Sequence, residues 1–331
     1  MAKKKNKQSA PFLQFLVGIV ALVAILLGSF FYFNPGKVNF VGSAADREKG
    51  VNLRLVFVGD IMLSRNIGSL MVENNDWGYP FEHVKDFLKK ADLTFANFEN
   101  PVSTRGENVG SIYSFRVDPR VLQGMTDSGI DVVSIANNHI WDWGPEAFAD
   151  TLTLLPASDI TPVGGGNDYA TVHTPVVKDV KGTKIAFLAY TRLVPGFLSR
   201  TDSVPAVAYP TIEQIALDVD VAKTMADLVV VSFHWGNEYE TKHNAEQELW
   251  AHAAIDAGAN LVVGHHPHVM QEVERYNDGY IAYSLGNFVF DQNFSEDTSK
   301  GLVLEVLVDD KKIQEVKQHI VTFNKTYQPS L

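Results

Sequence analysis

The chain has 331 residues, 46% hydrophobic and 11% aromatic, with no cysteine, which excludes disulfides, thiolate metal sites and a disordered body. Lys3, Lys4, Lys5 and Lys7 stand at the front with no acid among them, and the remainder carries 24 basic against 39 acidic residues, a formal −15. Such a surface excludes broad attraction for nucleic acid, and it repels a polyanion unless local cations or bound metals reverse the field.

Residues 1–11 read as a basic cytoplasmic tail. Phe12 to Phe33 follows, 22 residues without a charge. As a helix it would be about 33 Å long, enough to cross a bilayer core of roughly 30 Å. The preceding lysines hold the N-terminus in the cytoplasm. A cleaved signal peptide normally has a shorter apolar region, about 7–15 residues. Residues 12–33 are therefore expected to be an uncleaved, single-pass transmembrane signal anchor in the cell membrane. Residues 34–50 form a polar, glycine-containing linker, and residues 51–331 the extracellular domain.

Within that domain short β-rich runs alternate with helical stretches. Strands are expected at Leu53 to Val58, Leu93 to Phe98, Asp131 to Ala136, Lys184 to Tyr190, Leu228 to Phe233, Asn260 to Val263, Tyr280 to Ser284, Gly301 to Val308 and Ile313 to Phe323. Helices are expected at Pro80 to Lys90, Pro119 to Ser128, Pro145 to Leu155, Thr211 to Ala226 and Asn244 to Ala257. The alternation implies a layered α/β domain.

Five of these strands end on a residue that can bind a metal. The endings are Gly59-Asp60, Glu99-Asn100, Asn137-Asn138-His139, His234 and Gly264-His265-His266-Pro267-His268. In α/β sheets the carboxyl ends of strands are where ligands bind. Taken singly, Asp60 or Glu99 could cap a turn, Asn138 could make one, and His139 could be a satisfied core residue. In His266-Pro267-His268 the proline stiffens the tripeptide, and extended alternation would put both histidines on one side and His265 on the other. Carboxylate, amide and imidazole donors suit Mn, Fe or Zn. Six such ligands exceed the three typical of one catalytic zinc, and fit two divalent metal ions sharing a carboxylate.

The order Gly-Asp, acid, Asn-His, His, His-x-His resembles the calcineurin-like metallophosphoesterase superfamily. More closely, Val58-Gly59-Asp60-Ile61-Met62-Leu63, Asn97-Phe98-Glu99, Ala136-Asn137-Asn138-His139 with Asp142 and Gly144, His234-Trp235-Gly236-Asn237-Glu238-Tyr239, Gly264 to His268 and Ser284-Leu285-Gly286-Asn287-Phe288 resemble the poly-γ-glutamate capsule biosynthesis (CapA-type) family. The resemblance runs from about Leu53 to Phe290. It implies a metallophosphoesterase-like four-layer α-β-β-α sandwich. It also implies that Asp60 binds a first metal, that Glu99 bridges, that Asn138, His234 and His266 hold a second metal, and that His268 serves the first. His139 would be a general acid tuned by Asp142. Arg116 would bind an anionic substrate, and Glu238 and Asn287 would stand behind the ligands.

Three positions depart from the wider superfamily. Met62 stands where the first motif usually has a histidine, Glu99 where the bridging residue is usually aspartate, and His265 where glycine is usual. Two functions compete. One is a membrane-anchored metallohydrolase of capsule or poly-γ-glutamate biosynthesis and export, cleaving a phosphoester or a polymer amide. The other is a non-catalytic, metal-containing scaffold or binding component among membrane-bound polymer synthase or export subunits. His139 and Asp142, which holding a metal does not require, favour chemistry. An anionic polymer would need a narrow cationic cleft, for which Arg116 and Arg192 are the candidates.

Overall fold

Leu53 to Ile61 forms β1, a run of apolar residues buried on both faces of a sheet. In chain order the other strands are β2 (Leu93–Phe98), β3 (Val132–Ser134), β4 (Thr161–Val163), β5 (Gly165–Gly166), β6 (Val176–Val180), β7 (Thr183–Thr191), β8 (Ala206–Val207), β9 (Leu228–His234), β10 (Leu261–His265), β11 (Val273–Tyr276), β12 (Gly279–Ala282), β13 (Asn287–Val289), β14 (Lys300–Asp309), β15 (Lys312–Phe323) and β16 (Pro329–Ser330). The computed structural model describes residues 52–193, 206–209 and 211–331. The expected tail, transmembrane anchor and linker of residues 1–50 lie outside them. Among the described residues no helix is long and apolar enough to cross a membrane.

Among the described residues the strands build an eight-stranded sheet, β16-β15-β14-β1-β2-β3-β4 with β13 beside β1, and a six-stranded sheet, β11-β12-β10-β9-β7-β6. The first is parallel from β1 to β4, and the second is parallel through β12, β10, β9 and β7. The period of two along each strand sorts the core into three layers. Leu55, Phe57, Phe95, Phe187, Val230 and Val263 pack between the sheets. Val56, Ala96, Phe98 and Val133 face outward onto helices α1 (Arg65–Asn74), α3 (Val121–Asp127) and α4 (Gly144–Ala157). Leu188, Val231, Phe233 and Val262 face outward onto α6 (Ile212–Met225) and α7 (Ala245–Ala257). The order of layers is α-β-β-α. Short helices α2 (Lys85–Leu88) and α5 (Tyr169–Val172) fill connections.

Several elements differ from expectation. The helix expected from Pro80 to Lys90 is a 3₁₀ turn at Tyr79–Phe81 followed by the single turn α2. Helix α1 has no counterpart among the expected helices, because only Ile67 and Met71 are buried along it and Ser64 makes no side-chain cap. Strand β3 stops at Ser134, before the expected end at Ala136.

A bulge in β1 aims the first site residue. Phe57 pairs with Phe95 and Asp60 with Asn97, so β1 carries one extra residue over this interval. Alternation continued from Phe57 would turn Asp60 out toward the helices, and the inserted residue returns it to the inter-sheet face. Gly59 makes the bulge possible, because a Cβ there would lie 1.9 Å from the Gly286 carbonyl oxygen. The Asp60 amide donates to that same oxygen at 2.9 Å. Gly59→Ala is therefore expected to force β1 and β13 apart and to destabilise the fold by about 1–3 kcal/mol, as overpacking does. Thermal unfolding of the full-length variant checks this, and an unchanged midpoint would show that the contact relaxes.

Candidate metal centre

The carboxyl ends of both sheets meet at one edge, and the inter-sheet faces deliver the polar residues there. Along β2 the inward positions are Leu93 and Phe95, and the same face carries Asn97 and then Glu99. Along β9, Leu228 and Val230 point inward, and the period reaches His234. Along β10, Leu261 and Val263 lead to His265. Asp60, Asn97, Glu99 and His265 are fully buried, and His234 nearly so.

Asn97 holds this floor together. Its Nδ2 donates to Asp60 Oδ1 at 2.8 Å and to Glu99 Oε1 at 2.9 Å, and lies 3.3 Å from His234 Nδ1. Its Oδ1 accepts from Asn137 Nδ2 at 3.3 Å, and Asn137 also donates to the Phe98 carbonyl. Asn97 is not among the site residues expected from the sequence. The signal was present, since an amide two residues before Glu99 in an otherwise apolar strand must share its buried face.

The loop after β10 does not continue as an extended strand. His266 and His268 both have positive φ, +96° and +58°. The expected alternation is thereby broken. His265 does not face away: its Nδ1 lies 3.3 Å from Asp60 Oδ1, off the angle of a hydrogen bond. The His266 amide donates to Asp60 Oδ2 at 3.3 Å, and His268 Nδ1 lies 3.2 Å from the same oxygen. The rings of His234 and His266 are 4.9 Å apart, and those of His266 and His268 5.8 Å. Asn138 Oδ1 sits 2.8 Å from His234 Nε2.

Among the described residues the acidic and imidazole donors fall into two groups, Asp60-Glu99-His234 and Glu238-His266-His268, each with atoms within 4.8 Å of one another. His266 thus lies within reach of both His234 and His268, and Glu238 stands among the possible donors. Asn287 Nδ2 donates to the Thr298 carbonyl at 3.1 Å, which leaves Oδ1 to accept from His268 Nδ1 at 3.0 Å. His268 Nε2 is then the nitrogen able to bind a cation.

Burial and mutual charge set the protonation of these donors against one another. Burial alone would raise the Asp60 carboxyl, but contacts from His265 and His268 hold it well below its usual value. Burial, then the Asp60 charge, push Glu99 well up. Burial, with His268 close by, drives His266 down to about 3, and burial also drives His234 well down. Burial opposes charge on His268 as well, yet Glu99 and Asp60 bring it up to about 9. Glu99 Oε2, His266 Nδ1 and both nitrogens of His265 are buried without a hydrogen-bond partner. Unpaired polar atoms of this kind are costly. Oxygen and imidazole donors with vacant lone pairs and no thiolate fit Mn, Fe or Zn.

Beside this floor His139 Nδ1 lies 2.8 Å from Asp142 Oδ2. Asp142 is fixed by the Phe115 amide at 2.8 Å and the Ser111 hydroxyl at 3.1 Å. The pair opens on a cleft of about 180 Å³ whose lining includes Arg65, Phe115, His139, Glu238, Tyr239 and His268. Arg116 and Arg192, the expected anion-binding cations, are not in that lining. Arg116 lies 3.5 Å over the Trp143 ring and donates to the Arg105 carbonyl, while Arg192 pairs with Glu246 over Trp250. Arg65 takes the position instead, and nothing in its sequence context distinguished it.

Protons on Glu99 and His268 compete with a cation, whereas His234 and His266 are already neutral at pH 7. Metal binding should therefore release protons, and affinity should climb as pH rises toward about 9, where His268 loses its proton. Titration calorimetry with Mn²⁺ in buffers of different ionisation heat measures both. An affinity independent of pH over that range would contradict the assignment of these donors.

A sequence model of the family described as bacterial capsule synthesis protein matches residues 54–292. The capsule biosynthesis protein CapA of Bacillus anthracis is 33% identical over 316 residues, covering 91% of this chain and 74% of that protein. The PGA biosynthesis protein CapA of Bacillus subtilis is 31% identical over 287 residues, covering 86% and 74%. A solved structure of a hypothetical protein from Thermus thermophilus shares the fold, with a TM-score of 0.53 at 17% identity, covering 81% of this chain and 98% of that one. By its sequence, this chain belongs to the bacterial capsule synthesis protein family.

Proposed function

We propose that the protein is a membrane-anchored, metal-dependent hydrolase acting in capsule or poly-γ-glutamate biosynthesis or export, on a phosphoester or a polymer amide. The names of the relatives support the pathway. One juxtaposition supports the chemistry: His139, held by Asp142, lines one cleft with His268 and Glu238, which group with His266 and its buried unpaired nitrogen.

Asp60, Glu99, Asn138, His234, His266 and His268 would hold two divalent ions, with His265 and Glu238 as further donors at hand. Bound cations of this kind supply Lewis acidity and a nucleophilic hydroxide at neutral pH. The chain's own groups do the rest. Asp142 accepts from His139 Nδ1, which fixes the ring's orientation. His139 Nε2, which here faces Asn138 Nδ2 at 3.2 Å, would take up the proton that is then offered to the leaving group. Arg65, 2.9 Å from Asp291, presents one cation to an anionic substrate. Membrane-bound synthase or export subunits are the partners such an anchored enzyme would serve.

Topology is tested by protease added to intact protoplasts. The body of the protein should be digested, and protection until lysis would refute an extracellular domain. Chemistry is tested by complementing a deletion strain with wild type, His139→Ala and His268→Ala at matched expression. His139→Ala should keep its metal and lose about 10²–10⁴ in rate, the usual contribution of a positioned acid. His268→Ala should lose both metal and rate. Full complementation by both variants would replace the hydrolase with a scaffold.

A further inference from the structure

Among the described residues the exposed aromatic side chains are Tyr113, Tyr169, Tyr239 and Phe294. Three of these, Tyr113, Tyr239 and Phe294, line the cleft that opens on His139 and His268. Exposed aromatic faces gathered at one site mark a binding surface rather than chance exposure.

Tyr239 is built into this place. Its φ is +66°, a region that bulky residues seldom occupy. Its amide donates at 2.8 Å to the carbonyl of Pro267, between the two site histidines. Its ring lies 6.4 Å from that of His268 and meets Phe294 edge-on at 5.1 Å. The aromatic pair therefore begins one ring's width from the metal donors.

The charges in the cleft exclude a different kind of occupant. Arg65 faces Asp291 at 2.9 Å, and Glu238 adds a second carboxylate to the lining. A polymer with a charge on every unit would need a row of cations, and this lining offers only Arg65, already opposed, and His268. The volume, about 180 Å³, is below the roughly 300–1,000 Å³ of pockets that enclose drug-sized ligands. One ring and one anionic group suffice to fill it.

We propose that the cleft selects a ligand whose single anionic group is carried on an uncharged, flat-faced ring, the ring lying against Tyr239 and Phe294 and the anion at His268. This rests on the metal-centre reading above. It narrows the substrate class to phosphoesters of ring-bearing groups and places a linear polyanion outside this cleft.

The test is calorimetric binding to the full-length, Mn²⁺-loaded protein. Phenylphosphonate should bind about tenfold tighter than methylphosphonate, the worth of one aromatic contact with its buried area. Tyr239→Ala and Phe294→Ala should each remove most of that ratio while metal content and methylphosphonate affinity stay unchanged. Tyr239→Phe should preserve it. A linear γ-linked glutamate oligomer should bind most weakly, with no response to Tyr239→Ala. Glucosyl and nucleoside phosphonates in the same series separate two natural sources of such a ring, and any gain over methylphosphonate must vanish in Tyr239→Ala. Equal affinity for the two simple phosphonates, or tighter binding of the glutamate oligomer, would overturn the proposal alone. Failure of both phosphonates to bind would overturn the metal-centre reading and this proposal with it.

Discussion

Asp60 and Glu99 lie fully buried at the edge where two sheets meet, close enough that the charge of one raises the other. Two carboxylates in an apolar interior are costly unless cations or donors compensate them. Much of the surrounding structure can be understood as that compensation. Asn97 gives one amide group to both acids. His265 and His268 lean on Asp60, and the His266 amide donates to it. Even so, Glu99 Oε2 is left without a partner, and so are nitrogens of His265 and His266. The protein alone does not balance the site, and a bound divalent cation would supply the missing charge.

Supporting contacts spread outward from this need. Asn287 orients His268, and its own amide is anchored on the Thr298 carbonyl. Asn137 braces Asn97 and also accepts from the His139 amide, so the donor floor and the proposed acid share one scaffold. Met62, where the superfamily resemblance leads one to look for a histidine, is buried with its sulfur accepting from Ser64. It adds no nitrogen to the floor. His265, from the other sheet, brings imidazole nitrogen to within 3.3 Å of Asp60 instead. The first donor group is thus assembled across the sheet interface rather than along one strand.

Above the floor the character changes from buried and polar to open and aromatic. Arg65 at the rim faces Asp291, and Arg192 is held to Glu246 away from the cleft. Selectivity then falls to shape and ring faces rather than to a field of positive charge. This agrees with an acidic chain whose surface would not gather a polyanion.

Much of this was legible in the sequence. The apolar runs ending in Asp60, Glu99, His234 and His265 placed these residues at strand ends, because burial on both faces writes a continuous apolar stretch that stops where polar chemistry begins. The period of two within β9 and β10 carries His234 and His265 to the inter-sheet face, although the alternation expected through His268 turns His265 away. The tertiary structure decided what no local pattern contains. The bulge that turns Asp60 inward depends on Gly59 meeting the carbonyl of Gly286, more than two hundred residues away. The positive φ values at His266 and His268 cancel the alternation that a reading of His-Pro-His assumes. Arg65 replaces Arg116 and Arg192 in the cleft because stacking on Trp143 and Trp250 draws the latter two elsewhere. Local periodicity determines which residues must be buried and where an apolar run must end. Which of those residues touch depends on backbone twists and contacts between distant strands, and these exist only once the two sheets have packed.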